Sequence, residues 1–211
     1  PPNIDRRTFS ESDRESARLA KLAELGQAAD TTLLLMVGSG FRTKGVDRAI
    51  EGLAKLQSIE GNEPQLVVVG HGKPESYQRL AKSLGVGDRL HMLGGRADVP
   101  EWMLAADLLV HPARNENTGT ALLEALANGL PLLVSDVCGY AFHIERANAG
   151  RLVPSPFSQT QFNQLLQETV DSTDLKQWSA NGLKYAEEED LYSCHDKACE
   201  LIEKFVAAKA R

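Results

Sequence analysis

Two glutamates separated by seven residues, Glu116 and Glu124, bracket the turn Asn117-Thr118-Gly119-Thr120-Ala121 and the apolar helical run that follows it. Backbone N–H groups at a helix start, with the positive end of the helix dipole behind them, favour a pyrophosphate. Here the first free amides fall near Gly119, Thr120 and Ala121. Gly119 lets an anion come close because no Cβ stands in its way. Glu124 lies five residues further on, roughly 7.5 Å along a helix axis at 1.5 Å per residue. That is about the reach from a diphosphate to a ribose diol, whose hydroxyls donate to both oxygens of a carboxylate. Glu116 precedes the helix and faces whatever lies beyond the outer phosphate. Taken alone, such a pair reads as solvated surface charge with Thr118 as an N-cap, worth about 1 kcal/mol to the helix; the neighbouring loops change that balance.

The first of these loops is Gly38-Ser39-Gly40-Phe41-Arg42-Thr43-Lys44-Gly45, a glycine-rich turn carrying two cations. A dinucleotide fingerprint needs G-x-G-x-x-G, but Thr43 occupies the third glycine position and the second strand ends in Gly70-His71 without an acid, so the NAD reading is weak. A phosphate-binding P-loop needs Gly-Lys-Ser/Thr where this chain has Lys44-Gly45, and the ATPase reading is weaker still. What remains is a backbone turn with Lys44 as a point charge for phosphate oxygens, or, equally on its own, a lysine on the solvent face of the next helix. A third loop, Gly94-Gly95-Arg96-Ala97-Asp98, follows another strand. Its exposed amides and carbonyls are suited to reading the edge of a base, or it is only a tight turn.

These loops need a sheet edge to share. Apolar runs at residues 33–37, 65–69, 89–93, 108–111, 131–135 and 150–153 read as strands. Between them Val46, Ile50, Leu53 and Leu56 recur at helical spacing, as do Tyr77, Leu80, Ala81 and Leu84, and Trp102 to Ala106 fits a short helix. Such alternation predicts a Rossmann-like α/β fold, a parallel sheet of about six strands flanked by helices. In open sheets of this kind ligands bind at the carboxyl ends of the strands, where all three loops fall. Ser12-Asp13-Arg14-Glu15 resembles a capping box for a helix running through Leu25 and ended at Gly26. Beyond Pro156 the pattern is helical throughout. The division expected is a linker at 1–9, a nucleotide-binding domain at 10–170 and C-terminal helices at 171–211.

With 211 residues, 42% hydrophobic and 25% charged, the chain has an ordinary globular composition. A net charge of −6 argues against a broad nucleic-acid footprint or a chain-wide attraction to anionic lipid. No apolar run approaches the ~20 residues of a membrane span, and the amino terminus lacks a signal-peptide core; a cytoplasmic location is expected. Cys138, Cys194 and Cys199 are an odd set without metal-finger spacing. Cys138 reads as a small buried hydrophobe. His195 and Cys199, at i, i+4, offer two ligands where a metal needs three or four, so no metal site is expected.

Together the three loops resemble the carboxy-terminal, donor-binding domain of glycosyltransferase family four, retaining enzymes with the two-domain GT-B fold. The resemblance runs through Gly38 to Lys44-Gly45, Gly94-x-Arg96-x-Asp98-Val99, Ala106-Asp107 to Pro112, Glu116-x7-Glu124 and Gly129-Leu130-Pro131. It covers most of residues 1–170, and Pro1 to Asp5 with Phe9 look like the linker by which the family's chain enters this domain. The strings Gly38 to Arg48, Val137-Cys138-Gly139-Tyr140-Ala141 and Asp190-Leu191-Tyr192-Ser193 are most similar to the lipopolysaccharide core glucosyltransferase I group, which moves glucose from UDP-glucose to an inner-core heptose.

The resemblance implies that Lys44 contacts the donor diphosphate, that Gly119, Thr120 and Ala121 meet the phosphates through their amides, and that Glu124 holds the ribose. It gives Glu116 to hydroxyls of the donor sugar and the backbone around Arg96 to the uracil, and it counts Gly38, Ser39, Gly40, Gly94, Asn117 and Thr118 among the residues that bind the donor. Family members often carry an arginine after the first glycine, where Ser39 stands; Arg42 is the candidate to replace its charge, which makes Lys44, Glu116 and Arg42 the candidate catalytic set. No Asp-x-Asp pair is present, and donor binding without a metal or other cofactor is expected. The acceptor, a glycan or lipopolysaccharide core, would be held by an amino-terminal domain, the isolated chain would transfer little, and any membrane contact would be peripheral, at the inner face of the bacterial inner membrane. Alternatives are a GT-B sugar-nucleotide epimerase or a non-catalytic nucleotide-binding module; a pyridoxal-dependent phosphorylase would need a Schiff-base lysine not identified here.

Overall fold

Four of the six short strands carry almost unbroken aliphatic sequence, which is tolerable only where both faces of a sheet are covered. A computed structural model describes residues 4–6, 8–58 and 61–209 and has that arrangement. In chain order the elements are α1 (Glu11–Glu24), β1 (Leu33–Val37), α2 (Phe41–Lys44), α3 (Val46–Leu53), β2 (Gln65–Val69), α4 (Glu75–Ser83), β3 (Leu90–Gly94), α5 (Val99–Ala105) and β4 (Leu108–His111). There follow α6 (Thr120–Ala127), β5 (Leu132–Ser135), α7 (Ala141–Ala147), β6 (Gly150–Val153), α8 (Gln159–Val170), α9 (Leu175–Glu188) and α10 (Cys194–Lys209).

The period-2 alternation of a strand divides its side chains between two cores. Leu33 and Leu35 of β1 join one core with α1, α5, α6, α7 and α9, while Leu34 and Met36 join the other with α3, α4 and α8. β4 repeats the division, Leu109 to the first core and Leu108 and Val110 to the second. Each such buried side chain contributes about 1.5–3 kcal/mol relative to exposure, so the strands are held by packing on both sides. α1 is further tied down by Arg14, which donates to the carbonyls of Leu104 and Asn128, and by Arg18, which pairs with Asp107 at 3.0 Å.

All strands are parallel, in the order β3-β2-β1-β4-β5-β6. After β1 the chain moves outward to β2 and β3, then returns to lay β4 on the other side of β1, with Leu34 opposite Leu108. The crevice opened by that reversal is the usual ligand position of an open α/β sheet. Its two walls are the segment after β1, containing Gly38 to Gly40, and the segment after β4, containing Pro112 to Gly119.

Several boundaries depart from the sequence reading. The capping box is formed by Ser10 and Asp13, not Ser12 and Glu15: Ser10 Oγ accepts from the Asp13 amide at 3.1 Å and Asp13 Oδ2 accepts from the Ser10 amide at 2.8 Å. β3 starts at Leu90 because Arg89 closes a short 3₁₀ turn over Gly87–Arg89. β5 starts at Leu132, since Pro131 has no N–H to give the ladder. Of the expected linker, residues 1–3 and 7 lie outside the described residues; Ile4 is buried and its amide donates to the Leu191 carbonyl at 3.1 Å. α9 packs against α6 and α7, burying Trp178, Tyr185 and Ala186. Among the described residues no helix is long and apolar enough to cross a membrane.

Candidate functional site

At the reversal between β1 and β4 the two walls touch through glycine. Gly45 has φ +75°, and a Cβ there would lie 2.1 Å from the Pro112 carbonyl oxygen; only a residue without one lets the walls approach so closely. Gly38 does the same for a side chain: a Cβ on it would sit 2.8 Å from Lys44 Cε, so the lysine lies across the glycine. Lys44 ends the single turn α2, which had no sequence signal beyond the glycines on either side. From there its ammonium reaches the Glu116 carboxylate and forms an ion pair, the two side chains being 19% and 14% exposed.

Glu116 is held from behind by backbone. Its carbonyl accepts from the Gly139 amide at 3.1 Å, and the Thr118 carbonyl accepts from the Tyr140 amide at 2.9 Å. The turn that follows is capped by Gly119, with φ +91°, and not by Thr118; among the described residues no side-chain cap bonds to the start of α6. Thr120 and Ala121 therefore begin the helix with their amides free of a side-chain cap, as an anion requires. One turn on, Glu124 lines a cavity of about 260 Å³ with Val37 at the end of β1, Val99 and Pro100 at the start of α5, Asp5 and Met103. A carboxylate at one side of a largely apolar hollow suits a group with a flat apolar face and hydroxyls at its edge.

Two residues of this site carried no functional reading in the sequence. His111, the last residue of β4, has a side chain 1% exposed with Nε2 3.6 Å from Glu116 Oε2. Burial, aided by the Lys44 cation, pushes its imidazole down to about 4, so the ring is neutral at neutral pH. Cys138, opposite Glu116 in an isolated parallel bridge, is buried, and burial pushes its thiol up to about 11. A protonated thiol is a poor nucleophile, in keeping with the packing role expected for it. Burial also lowers the Lys44 ammonium from its ordinary value. A histidine ending an aliphatic strand just before Pro112 was the available clue to His111; the pairing of the Glu116 loop with Cys138 to Tyr140 crosses some twenty residues and has no local signature.

The remaining candidates divide. Ser39 Oγ accepts from the His71 amide at 3.0 Å, so this hydroxyl joins the loops after β1 and β2. Arg42 is exposed and lies in a shallow groove with Lys73 and Tyr77, away from the Lys44–Glu116 pair; its carbonyl accepts from Arg114 at 3.0 Å. The Arg96 guanidinium is turned back onto Asp98 at 2.6 Å and Glu24 at 2.9 Å, with Lys21 also on Asp98. These contacts raise Arg96 and hold Asp98 below the usual carboxylate range. What this loop offers the crevice is the exposed backbone of Gly94 and Gly95, apart from the Gly94 carbonyl, which accepts from the Gly70 amide at 2.8 Å. Asn117 and Thr118 are exposed at the lip. No group of three or more His, Cys, Asp or Glu among the described residues is placed to hold a metal.

The profile of the family described as glycosyl transferases group 1 matches residues 18–185. The chain is 44% identical over 204 residues to the lipopolysaccharide glucosyltransferase WaaG of Escherichia coli (strain K12), covering 96% of this chain and 54% of that protein. The crystal structure of WaaG superposes with a TM-score of 0.85 over 96% of this chain and 55% of that one. The backbone is shared more widely: Anabaena Alr3699/HepE, solved in complex with UDP-glucose, matches 93% of this chain and 54% of its own with a TM-score of 0.76 at 22% identity. The chain thus spans about half the length of the relatives it matches, and across that half both its sequence and its backbone place it in the glycosyl transferases group 1 family, to which it belongs.

Proposed function

We propose that this chain is the donor-binding half of a retaining, GT-B-type glycosyltransferase that takes glucose, or a similar hexose, from a UDP-sugar for a heptose of the lipopolysaccharide core or a related glycan. The observation carrying this reading is the Lys44–Glu116 pair in the crevice between β1 and β4, beside the uncapped start of α6. Similarity to WaaG supports the donor and acceptor classes. The diphosphate sits on the α6 amides with Lys44 on its outer phosphate, the ribose on Glu124, the nucleobase along Gly94 and Gly95, and the hexose hydroxyls on Glu116.

Transfer requires the nucleoside diphosphate to leave as the glycosidic bond breaks, so negative charge grows on the outer phosphate. A fixed cation and helix-start amides stabilise that charge without reorganising, and one such donor is worth about 3 kcal/mol. Lys44 and the amides supply this neutralisation in our reading, with no metal required. The acceptor is held by another half of the enzyme, which works in the cytoplasm with at most a peripheral membrane contact.

Calorimetric titration with UDP, UDP-glucose and NAD, with and without chelator, tests the reading. Uridine-nucleotide binding insensitive to chelator is expected. Lys44→Ala and Glu124→Ala each remove a charge-assisted contact of about 1.5–3 kcal/mol, a loss of ten-fold or more in affinity. Binding of NAD alone, or uridine-nucleotide affinity indifferent to both substitutions, would sink the proposal.

A further inference from the structure

His111 presents an unusual account of its polar atoms. Its ring is buried and neither nitrogen has a hydrogen-bond partner among the described residues. Buried polar groups are nearly always paired, and an unpaired one in a native fold calls for a reason. The nearby acceptor is Glu116 Oε2, 3.6 Å from Nε2, just beyond bonding distance, and that same oxygen is engaged by Lys44. In the free chain, therefore, the cation and the carboxylate that the donor needs are spent on each other, with a histidine standing behind them.

We propose that His111 is a positioning residue: when Lys44 has passed from Glu116 to the donor diphosphate and the donor sugar displaces water from the freed carboxylate, the His111 Nε2–H closes on Glu116 Oε2 and holds it toward that sugar. This rests on the donor-binding reading above. A carboxylate 14% exposed that has lost its ammonium partner can still be met by water when UDP alone is bound, but once a sugar takes the place of that water it is left desolvated and short of a donor, a costly state. Closure of the 3.6 Å gap to about 2.9 Å gives it a new donor. The neutral ring is suited to the task, since it donates one hydrogen bond without adding a second cation beside Lys44. It also leaves Glu116 its full charge and its outward oxygen for sugar hydroxyls.

The quantity to measure is the factor by which the glucosyl group changes affinity, the ratio of the Kd for UDP to that for UDP-glucose, on the chain described here. Replacing a buried unpaired polar ring by an apolar group of similar size is tolerated by a fold, so His111→Leu remains folded. It is expected to lower the ratio about ten-fold while leaving UDP affinity within about two-fold, as expected for loss of a bond to a charged group. His111→Gln, whose amide still donates, restores most of it. In the unsubstituted chain, nitrogen NMR of His111 should show a protonated Nε2 that becomes hydrogen-bonded on adding UDP-glucose but not UDP. Glu116→Ala separates the two claims. If it lowers the ratio and His111→Leu does not, the inference on His111 is wrong and the donor reading stands. If Glu116→Ala leaves the ratio unchanged, the sugar contact assigned to Glu116 fails, and the role of His111 with it.

Discussion

The side chains grouped around Glu116, namely Lys44, His111 and Cys138, are governed by burial more than by their neighbours' charge. His111 is the clearest instance, its imidazole pushed down to about 4 by desolvation first and by Lys44 second. An unfolded histidine titrates near 6.5, so between the two values the unfolded chain binds a proton that the folded chain refuses. Stability conferred by the neutral ring is thus complete above about pH 6.5 and is lost as pH falls toward 4. Between pH 7 and pH 5 the natural chain should lose about 2 kcal/mol more than His111→Leu, which has no proton to gain. Urea denaturation of both at the two pH values measures this; equal losses would mean that His111 is accessible to solvent. Acid-sensitive groups distant from His111 are common to both chains and cancel in the comparison to first order.

At the level of elements, the site depends on how closely the loops after β1 and β4 approach. Gly45 combines a positive φ with a Cβ position 2.1 Å from the Pro112 carbonyl oxygen. Gly45→Ala therefore meets both a conformational penalty and a clash with backbone that cannot rotate away, about 2–4 kcal/mol together. Lys44 would be displaced from Glu116, so UDP affinity should fall with stability. Denaturation and titration of the variant check the two effects, and an unperturbed midpoint would show that the loops separate at little cost. This approach was not legible in sequence, although the strands themselves were. Nearly continuous aliphatic runs at β1, β2, β4 and β5 needed no tertiary knowledge, because burial on both faces leaves its mark along the whole strand. Helix ends were less plain: Asp13 performs in the capping box what a glutamate two residues later seemed to offer, and Gly119 takes the cap beside a threonine able to fill it. Among site residues, Lys44, Glu116 and Glu124 stood out by charge and spacing. His111 and Cys138 did not, since their roles arise only where β4 and the loop after β5 are folded against Glu116.

For the molecule as a whole, the question is which residues make the folded unit. The helices after residue 170 do not behave alike. α9 buries Tyr185 and Ala186 in the first core and Trp178 outside it, and the carbonyl of Leu191, 1% exposed, accepts from the Ile4 amide. α10 instead leaves Leu201, Ile202, Phe205 and Val206 exposed, each at 60% or more. Their i, i+1, i+4, i+5 spacing makes one apolar stripe, which contributes little burial to this fold. A chain ending at Ser193 should therefore keep its stability within about 0.5 kcal/mol, a melting shift of no more than about 2 °C for a domain of this size. Its affinity for UDP should be unchanged, because α6, Lys44 and the crevice lie in the part retained. A chain ending at residue 170 uncovers α6 and α7 and should not fold cooperatively. Thermal denaturation of the two truncations, followed by UDP titration of the longer, decides where the unit ends. A large destabilisation on removing α10 alone would mean that its stripe packs on this domain in solution, and the boundary would then move to the end of that helix.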